Sequence, residues 1–111
     1  MKKLVTMVVA MMMVVCFALP AMAEGALKIG FIGPLTGAAA VYGTSAKQGG
    51  EIAVNEVNAL GGPQIEFMTE DDEHDAEKSV NAYNTLKDWG LQVLAGPVTT
   101  TPSIAVAADK Y

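Results

Sequence analysis

The sequence GPVTTTPS at residues 96–103 decides how the rest of this chain is interpreted. An apolar run at 91–95 precedes it and is typical of a buried strand, and an apolar run at 104–108 follows it and is typical of a helix. Pro102 suits the first helical position, where a missing N–H costs nothing, and Thr101 suits the N-cap. Backbone N–H groups, hydroxyls and the positive end of a helix dipole then converge on a spot that favours a carboxylate or phosphate. An ordinary capped loop of an α/β sheet explains the same residues and stays open as the alternative.

The first 23 residues have the pattern of a signal peptide. Lys2 and Lys3 form a basic start, residues 4–19 are apolar or small, and an Ala-x-Ala pattern ends at Ala23. We expect cleavage after Ala23 and export to a bacterial periplasm. The chain's single cysteine, Cys16, leaves with this segment, which excludes a disulfide framework and a thiol nucleophile from the mature part.

The charge balance is acidic, with twelve Asp and Glu residues against seven basic ones, two of which lie in the predicted signal peptide. This balance argues against a nucleic-acid partner, which requires a basic face. The chain of 111 residues stops partway through its last predicted helix, with no strand after it. We therefore expect a fragment of a longer protein.

Strand and helix patterns alternate along the mature part. Residues 27–33, 64–69 and 91–95 are typical of strands, and helices are predicted at about 44–60 and from the N-cap Asp75 to about Trp89. This alternation predicts an α/β fold, a three-layer parallel sheet of order 2-1-3 with right-handed crossovers. The predicted inward face of the first helix consists of Ala46, Gly50, Ala53, Val57 and Leu60.

The predicted strand order points to one place for a ligand. Ligands of open parallel sheets bind beyond the carboxyl ends of the strands where the order reverses, here between the first and third strands. The loops that meet there, 33–42 and 96–103, are rich in Gly, Thr and Ser. Tyr42 offers a ring face to an apolar ligand side chain, although a hydrophobic lid on the sheet explains it equally well.

Other kinds of site fit the sequence less well. The glycines after the first strand are spaced G-x-x-G-x-x-x-G, which is not the dinucleotide pattern, and Pro34 removes a needed N–H. The acidic run at 70–75 lacks the Gly-centred spacing of a calcium loop. His74 is the chain's only histidine, and no serine or cysteine has the context of a nucleophile, so a loop residue is a better interpretation than a base. We expect no metal, no cofactor and no enzymatic activity.

Four segments together resemble a known family: KIGFIGPLTGAAAVYG, GGEIAVNEVNALGG, EDDEHDAEKS and VLAGPVTTTPS occur in the order seen in type I periplasmic binding proteins of the leucine/isoleucine/valine-binding branch. The resemblance implies a two-lobed monomeric receptor, with residues 24–111 as an incomplete N-terminal lobe. It implies the periplasmic substrate-binding component of an ABC importer for branched-chain or related amino acids, which delivers its ligand to a membrane permease. A ligand-sensing domain of a membrane receptor with the same fold is the alternative.

The resemblance also implies roles for individual residues. By position, Thr100 would take the ligand α-carboxylate, Tyr42 would line the pocket, and Asp71 and Asp72 would belong to a structural signature. The neighbours of Thr100 that would share in binding are Thr99, Thr101 and the backbone of Val98. In the family, the acid that binds the ligand ammonium comes from parts absent here, so the isolated chain is expected to be inactive in binding.

Overall fold

The computed structural model describes residues 1–2 and 25–110, so the predicted signal peptide lies outside the described residues apart from its first two. Residues 25–110 alternate between strands and helices. In order they form β1 (Leu27–Gly33), α1 (Ala40–Ala59), β2 (Ile65–Asp71), α2 (Ala76–Trp89), β3 (Val93–Ala95) and α3 (Thr100–Lys110). No helix within this part of the chain is both long and apolar enough to cross a membrane.

The described strands form one parallel sheet in the order β2-β1-β3, which confirms the predicted order. β1 is central because the α2 connection carries the chain from β2 over β1 to its other side. Gly33 is in register with Asp71 of β2, and Phe31 with Ala95 of β3. The carboxyl ends of all three strands therefore point to the same edge.

The two faces of the sheet carry different helices. α1 contacts β1 and β2 but neither α2 nor α3, whereas α2 contacts the same two strands and also α3. Neighbouring strand residues point to opposite faces. Accordingly Phe31 meets the ring of Phe67, with 6.3 Å between centroids, while Ile32 packs against Leu86 of α2. This is the predicted three-layer arrangement.

The buried core lies on the α2 face. Ile32 and Leu86 are fully buried and Ala82 is 5% exposed. Partly buried apolar side chains surround this cluster: Met68, Tyr83, Trp89, Leu91 and Leu94. The α2 helix is bounded as predicted, since Asp75 accepts a hydrogen bond from the Lys78 N–H at its start and Gly90 adopts φ 98° at its end.

The predicted inward face of α1 is confirmed at Gly50, where a Cβ would lie 3.0 Å from the ring of Phe67, and is wrong at the other predicted positions. Val57 is 39% exposed and Leu60, which follows the last helical residue, is 85% exposed, whereas Gly43 within the helix is buried. A Cβ on Gly43 would overlap the Pro34 carbonyl oxygen. This close approach, together with the hydrogen bonds between the Asn58 side chain and the Ile65 backbone, sets the rotation of α1. The side of the helix that carries Lys47, Val54 and Asn58 is partly buried, whereas the predicted residues Ala46, Ala53 and Leu60 are exposed.

Several predicted boundaries also shift. α1 begins at Ala40 instead of Thr44, because the alanines before Tyr42 are strong helix formers that continue the helix backwards. β2 runs on to Asp71 instead of ending at Thr69, because its last residues pair with Ile32 and Gly33 of β1. β3 is shorter than predicted and begins at Val93.

Candidate functional site

Three connecting segments gather at the carboxyl edge of the sheet. Residues 34–39 follow β1, and we call them the β1 loop. Residues 71–75 end β2 and lead into α2, and we call them the acidic turn. Residues 96–101 follow β3 and include the start of α3, and we call them the threonine loop. Because the strands are parallel and adjacent, all three lie on the side where ligands bind in such sheets.

Close packing holds the threonine loop against the end of β1. Gly96 has φ 98°, and a Cβ there would overlap the carbonyl oxygen of Ile32. One step further, a Cβ on Gly33 would lie 2.8 Å from Cγ2 of Val98. Val98 is half-buried, so its side chain packs on the strand while its backbone belongs to the loop. The approach requires glycine at position 96, because L-residues with a Cβ disfavour positive φ and no space remains for one.

Thr99 is engaged within the protein. Its Oγ1 lies 2.9 Å from Nδ1 of His74, and either group can donate, depending on the tautomer of the ring. The Thr99 carbonyl accepts hydrogen bonds from the Ser103 N–H at 3.0 Å and from the Ser103 hydroxyl at 2.8 Å. Among the threonines predicted to bind a ligand, Thr99 therefore has a hydroxyl that is already hydrogen-bonded to the acidic turn.

Thr100 and Thr101 form the first residues of α3 and are both exposed. Neither hydroxyl makes a hydrogen bond to another residue in the described part of the chain. The helix begins earlier than predicted: Thr99, not Thr101, precedes its first residue, and Pro102 is its third residue. Pro102 costs nothing there because the first N–H groups of a helix have no intrahelical partner.

Tyr42 lies in the first turn of α1 and is 65% exposed. α1 follows β1 and α3 follows β3, so Tyr42 and Thr100 are both at the carboxyl edge of neighbouring strands. The two helices do not contact one another. The five predicted residues thus follow neighbouring strands at one edge: Val98 and the three threonines are consecutive, and Tyr42 belongs to the helix on the opposite face of the sheet from the partner helix of α3.

Asp71 ties the acidic turn to the β1 loop. Its Oδ1 accepts from the Leu35 N–H at 2.7 Å and from the Glu73 N–H at 2.9 Å, and its Oδ2 accepts from the Thr36 hydroxyl at 2.6 Å. Burial raises the pKa of this carboxyl, but the hydrogen bonds from Thr36, Leu35 and Glu73 outweigh burial and hold the pKa below its ordinary value. This is the structural role that the resemblance implied.

Asp72 is the opposite case, a carboxyl that is fully buried. Its Oδ1 accepts from the His74 N–H at 2.9 Å, while Oδ2 has no hydrogen-bond partner among the described residues. Desolvation is the main cause that raises the pKa of Asp72, and the neighbouring charge of Asp71 adds to it. The surroundings of these two adjacent carboxyls therefore shift their pKa values in opposite directions.

Sequence reasoning missed the contact of His74 with the threonine loop. The residue stood out only as a lone histidine in an acidic run, and no local pattern indicates a partner 25 residues away. A histidine beside a threonine hydroxyl is the geometry of a base and a nucleophile. The second ring nitrogen of His74, however, has no hydrogen bond to any described residue that would orient the ring as in a catalytic triad.

A cavity of about 480 Å³ opens beside the outer edge of β3. Side chains of α2, β3 and α3 line it, among them Tyr83, Leu94 and Val106. None of the five predicted site residues lines this cavity. The predicted site is instead an open edge, bounded by the β1 loop and the threonine loop.

This edge offers a ligand uncharged hydrogen-bond donors. The start of α3 presents free N–H groups and the favourable end of its dipole, with the hydroxyls of Thr100 and Thr101 beside them. Such a set suits a small carboxylate.

Comparison with known proteins gives a consistent result. The profile of the periplasmic binding protein family matches residues 26–110. The Leu/Ile/Val-binding protein BraC3 of Rhizobium johnstonii is 34% identical over 98 residues, covering 86% of this chain and 27% of that protein. The chain spans about a quarter of the length of the curated relatives it matches.

Solved structures agree with the fold. The branched-chain amino acid transporter substrate-binding protein LivJ of Streptococcus pneumoniae, in complex with isoleucine, superposes with a TM-score of 0.72 at 30% identity, over 77% of this chain and 26% of that one. A solute-binding protein of an ABC transporter from R. palustris, in complex with benzoate, gives a TM-score of 0.67 at 30% identity, over 77% and 24%. On the strength of the profile match, these relatives and the observed sheet order, the chain belongs to the type I periplasmic binding protein family.

Proposed function

We propose that this chain is the first part of the N-terminal lobe of a periplasmic substrate-binding protein of an ABC importer, with residues 1–23 as a signal peptide cleaved after Ala23. The complete protein would act as a monomer and deliver a branched-chain or related amino acid to a membrane permease. The observation that carries the proposal is the exposed first turn of α3, where two threonine hydroxyls without a partner among the described residues flank free N–H groups.

The ligands of the structural neighbours support a carboxylate as the group bound at this edge. Isoleucine in the Streptococcus pneumoniae protein and benzoate in the R. palustris protein differ in size and polarity but share a carboxylate. The segment that this chain has in common with both proteins is about a quarter of each. A segment common to the three proteins is consistent with binding of the group that the ligands have in common. The selectivity for the rest of the ligand would then depend on other parts of the protein.

Within this proposal, Thr100 and Thr101 donate hydroxyls to the carboxylate, and the backbone of Val98 and Thr99 lines its approach. The Thr99 hydroxyl itself remains with His74. Tyr42, exposed across the end of β1, offers its ring to the ligand side chain.

The test uses the complete protein expressed from its gene, whatever its length, and isothermal titration calorimetry. Isoleucine, leucine, valine and benzoate are compared with isoleucinol, which lacks the carboxylate. We expect binding of at least one carboxylate and none of isoleucinol. Thr100→Ala should weaken that binding by about tenfold to a hundredfold, because a hydrogen bond to a charged group contributes about 1.5–3 kcal/mol.

The matched control is Thr85→Ala, an exposed threonine on α2 whose hydroxyl donates to the Asn81 carbonyl. It should leave the affinity unchanged. Equal affinity in the wild type and in Thr100→Ala would remove the site assignment, and binding of isoleucinol as tight as isoleucine would remove the carboxylate. A membrane span in the complete protein, beyond the signal peptide, would favour the receptor alternative over the importer component.

A further inference from the structure

The acidic turn has an unusual backbone that aims His74 at the threonine loop. Glu73 and His74 have φ of 48° and 63°, consecutive positions in the left-handed region that residues other than glycine rarely adopt. Both are held there by hydrogen bonds, since the Glu73 N–H donates to Asp71 and the His74 N–H donates to Asp72. The direction of the His74 ring is therefore set by the turn and not by the ring's own contacts alone.

On the other side of the contact, Thr99 is the residue on which α3 starts. Its carbonyl accepts the N–H of Ser103, and the single proton of the Ser103 hydroxyl is shared between the carbonyls of Thr99 and Pro97, at 2.8 and 2.9 Å. A restraint on the Thr99 side chain is thus passed directly to the first turn of the helix. Thr100 and Thr101, whose hydroxyls have no hydrogen-bond partner within residues 25–110, gain their position from this turn.

The same acidic turn also holds the opposite side of the open edge. Asp71 accepts from Leu35 and Thr36 of the β1 loop, so one turn is bonded to both loops that border the edge. β2 itself lies at the far side of β1 from β3. The turn must therefore cross the end of β1 to reach Thr99, and the His74 ring makes the hydrogen bond to Thr99.

We propose that His74 is a positioning residue that fixes the threonine loop through Thr99 and thereby orients Thr100 and Thr101 for ligand. The ring acts through Thr99 and does not bind ligand. The expected gain in ligand affinity rests on the proposed function, whereas the ordering of the loop does not.

The test measures two quantities in the complete protein: amide hydrogen exchange of residues 98–104 without ligand, and isoleucine affinity. His74→Phe keeps a ring but removes the hydrogen-bonding nitrogen, and Thr99→Val keeps the shape but removes the hydroxyl. Each should raise exchange and weaken affinity by about threefold to tenfold, the range of one neutral hydrogen bond. The double variant should lose no more than either single variant, because both remove the same interaction.

His74→Asn should keep both the exchange rates and the affinity near the wild-type values. The polar atoms of an Asn amide are as many bonds from Cβ as Nδ1 of histidine is, and Asn tolerates positive φ. Glu73→Gln is the matched control: it changes the same turn and removes an exposed ion pair with Lys78 but does not touch Thr99. We expect it to behave as the wild type.

The outcomes separate the two proposals. Wild-type exchange in His74→Phe and Thr99→Val, or additive losses in the double variant, would overturn the positioning role even if isoleucine binds. If the wild type binds no carboxylate, the proposed function fails, and the exchange data still decide whether His74 orders the loop. If His74→Phe does not fold, Thr99→Val alone answers the question, since it leaves the strained turn intact.

Discussion

The acidic turn and the threonine loop lie at the same edge of the sheet and are joined by one hydrogen bond, yet they use their polar groups in opposite ways. In the acidic turn, the carboxylates of Asp71, Asp72 and Asp75 each accept an N–H of the protein. In the threonine loop, the hydroxyls of Thr100 and Thr101 have no partner among the described residues.

The difference teaches that charge density is a poor guide to a binding site. The carboxylates of the acidic turn accept hydrogen bonds from the backbone of the same turn and from the β1 loop. The neutral segment is held by close packing and by one histidine, so its donors stay available.

The largest expected effect comes from the packing that holds the threonine loop. Gly96→Ala should lower the free energy of unfolding by about 3 kcal/mol or more. It places a Cβ on a residue with left-handed φ, and this Cβ forces the loop away from the Ile32 carbonyl. Gly37→Ala is the control, since Gly37 also has positive φ but nothing within 4 Å of a Cβ. It should cost only about 1–2 kcal/mol. Urea unfolding of both variants makes the comparison, and equal losses would show that packing at Gly96 is unimportant.

An intermediate effect is expected from the acidic turn. Asp71→Ala should lower the free energy of unfolding by about 2 kcal/mol at pH 7, because three donors lose a charged acceptor. The folded-state pKa is depressed, so this contribution is present above the ordinary aspartate pKa and is lost as pH falls through the lower folded value. The deficit of the variant should therefore shrink in urea titrations at low pH.

Asp88→Ala serves as the control for Asp71, because Asp88 is an exposed acid near the end of α2. It should change stability little, and its effect should not follow the pH course of Asp71→Ala. A deficit of Asp71→Ala that stays constant down to the lowest pH would contradict the hydrogen-bonded carboxylate.

The smallest effect, and the one with the opposite sign, is expected for Asp72→Asn. The folded-state pKa of Asp72 is raised, so its carboxyl favours folding below the ordinary pKa and this benefit is lost as pH rises through the raised value. The amide can still accept the His74 N–H. Relative to the wild type, Asp72→Asn should therefore gain stability as pH rises from about 4 to 7. A relative loss over that range would show that the buried charge is satisfied by a group other than His74.

Much of the fold follows from patterns that act locally. The alternation of apolar runs and turn residues predicts the order of elements, and the cap at Asp75 and the left-handed Gly90 bound α2 as expected. What local patterns miss is decided by contacts between distant residues. The rotation of α1 depends on the fit of Gly43 to Pro34, which no helical periodicity contains.

The candidate site divides in the same way. The topological rule for parallel sheets depends on the strand order, which was predicted correctly, and the threonines and Tyr42 follow neighbouring strands at the same edge. Binding at that edge stays a prediction. The start of α3 was predicted two residues too late, because proline is tolerated anywhere in the first turn and not only at its first position. The link from His74 to Thr99 spans two elements and arises from the crossing of β1 by the acidic turn, so sequence spacing gives no sign of it.

The contact of Gly96 with Ile32 has a consequence for which residues of this edge can vary. Any mutation that gives residue 96 a side chain should be removed by selection whatever the protein binds, since it separates the loop from the strand. Residues 100 and 101 face solvent and can vary at little cost to folding. A library that explores the proposed site should therefore keep codon 96 constant and randomise codons 42, 100 and 101.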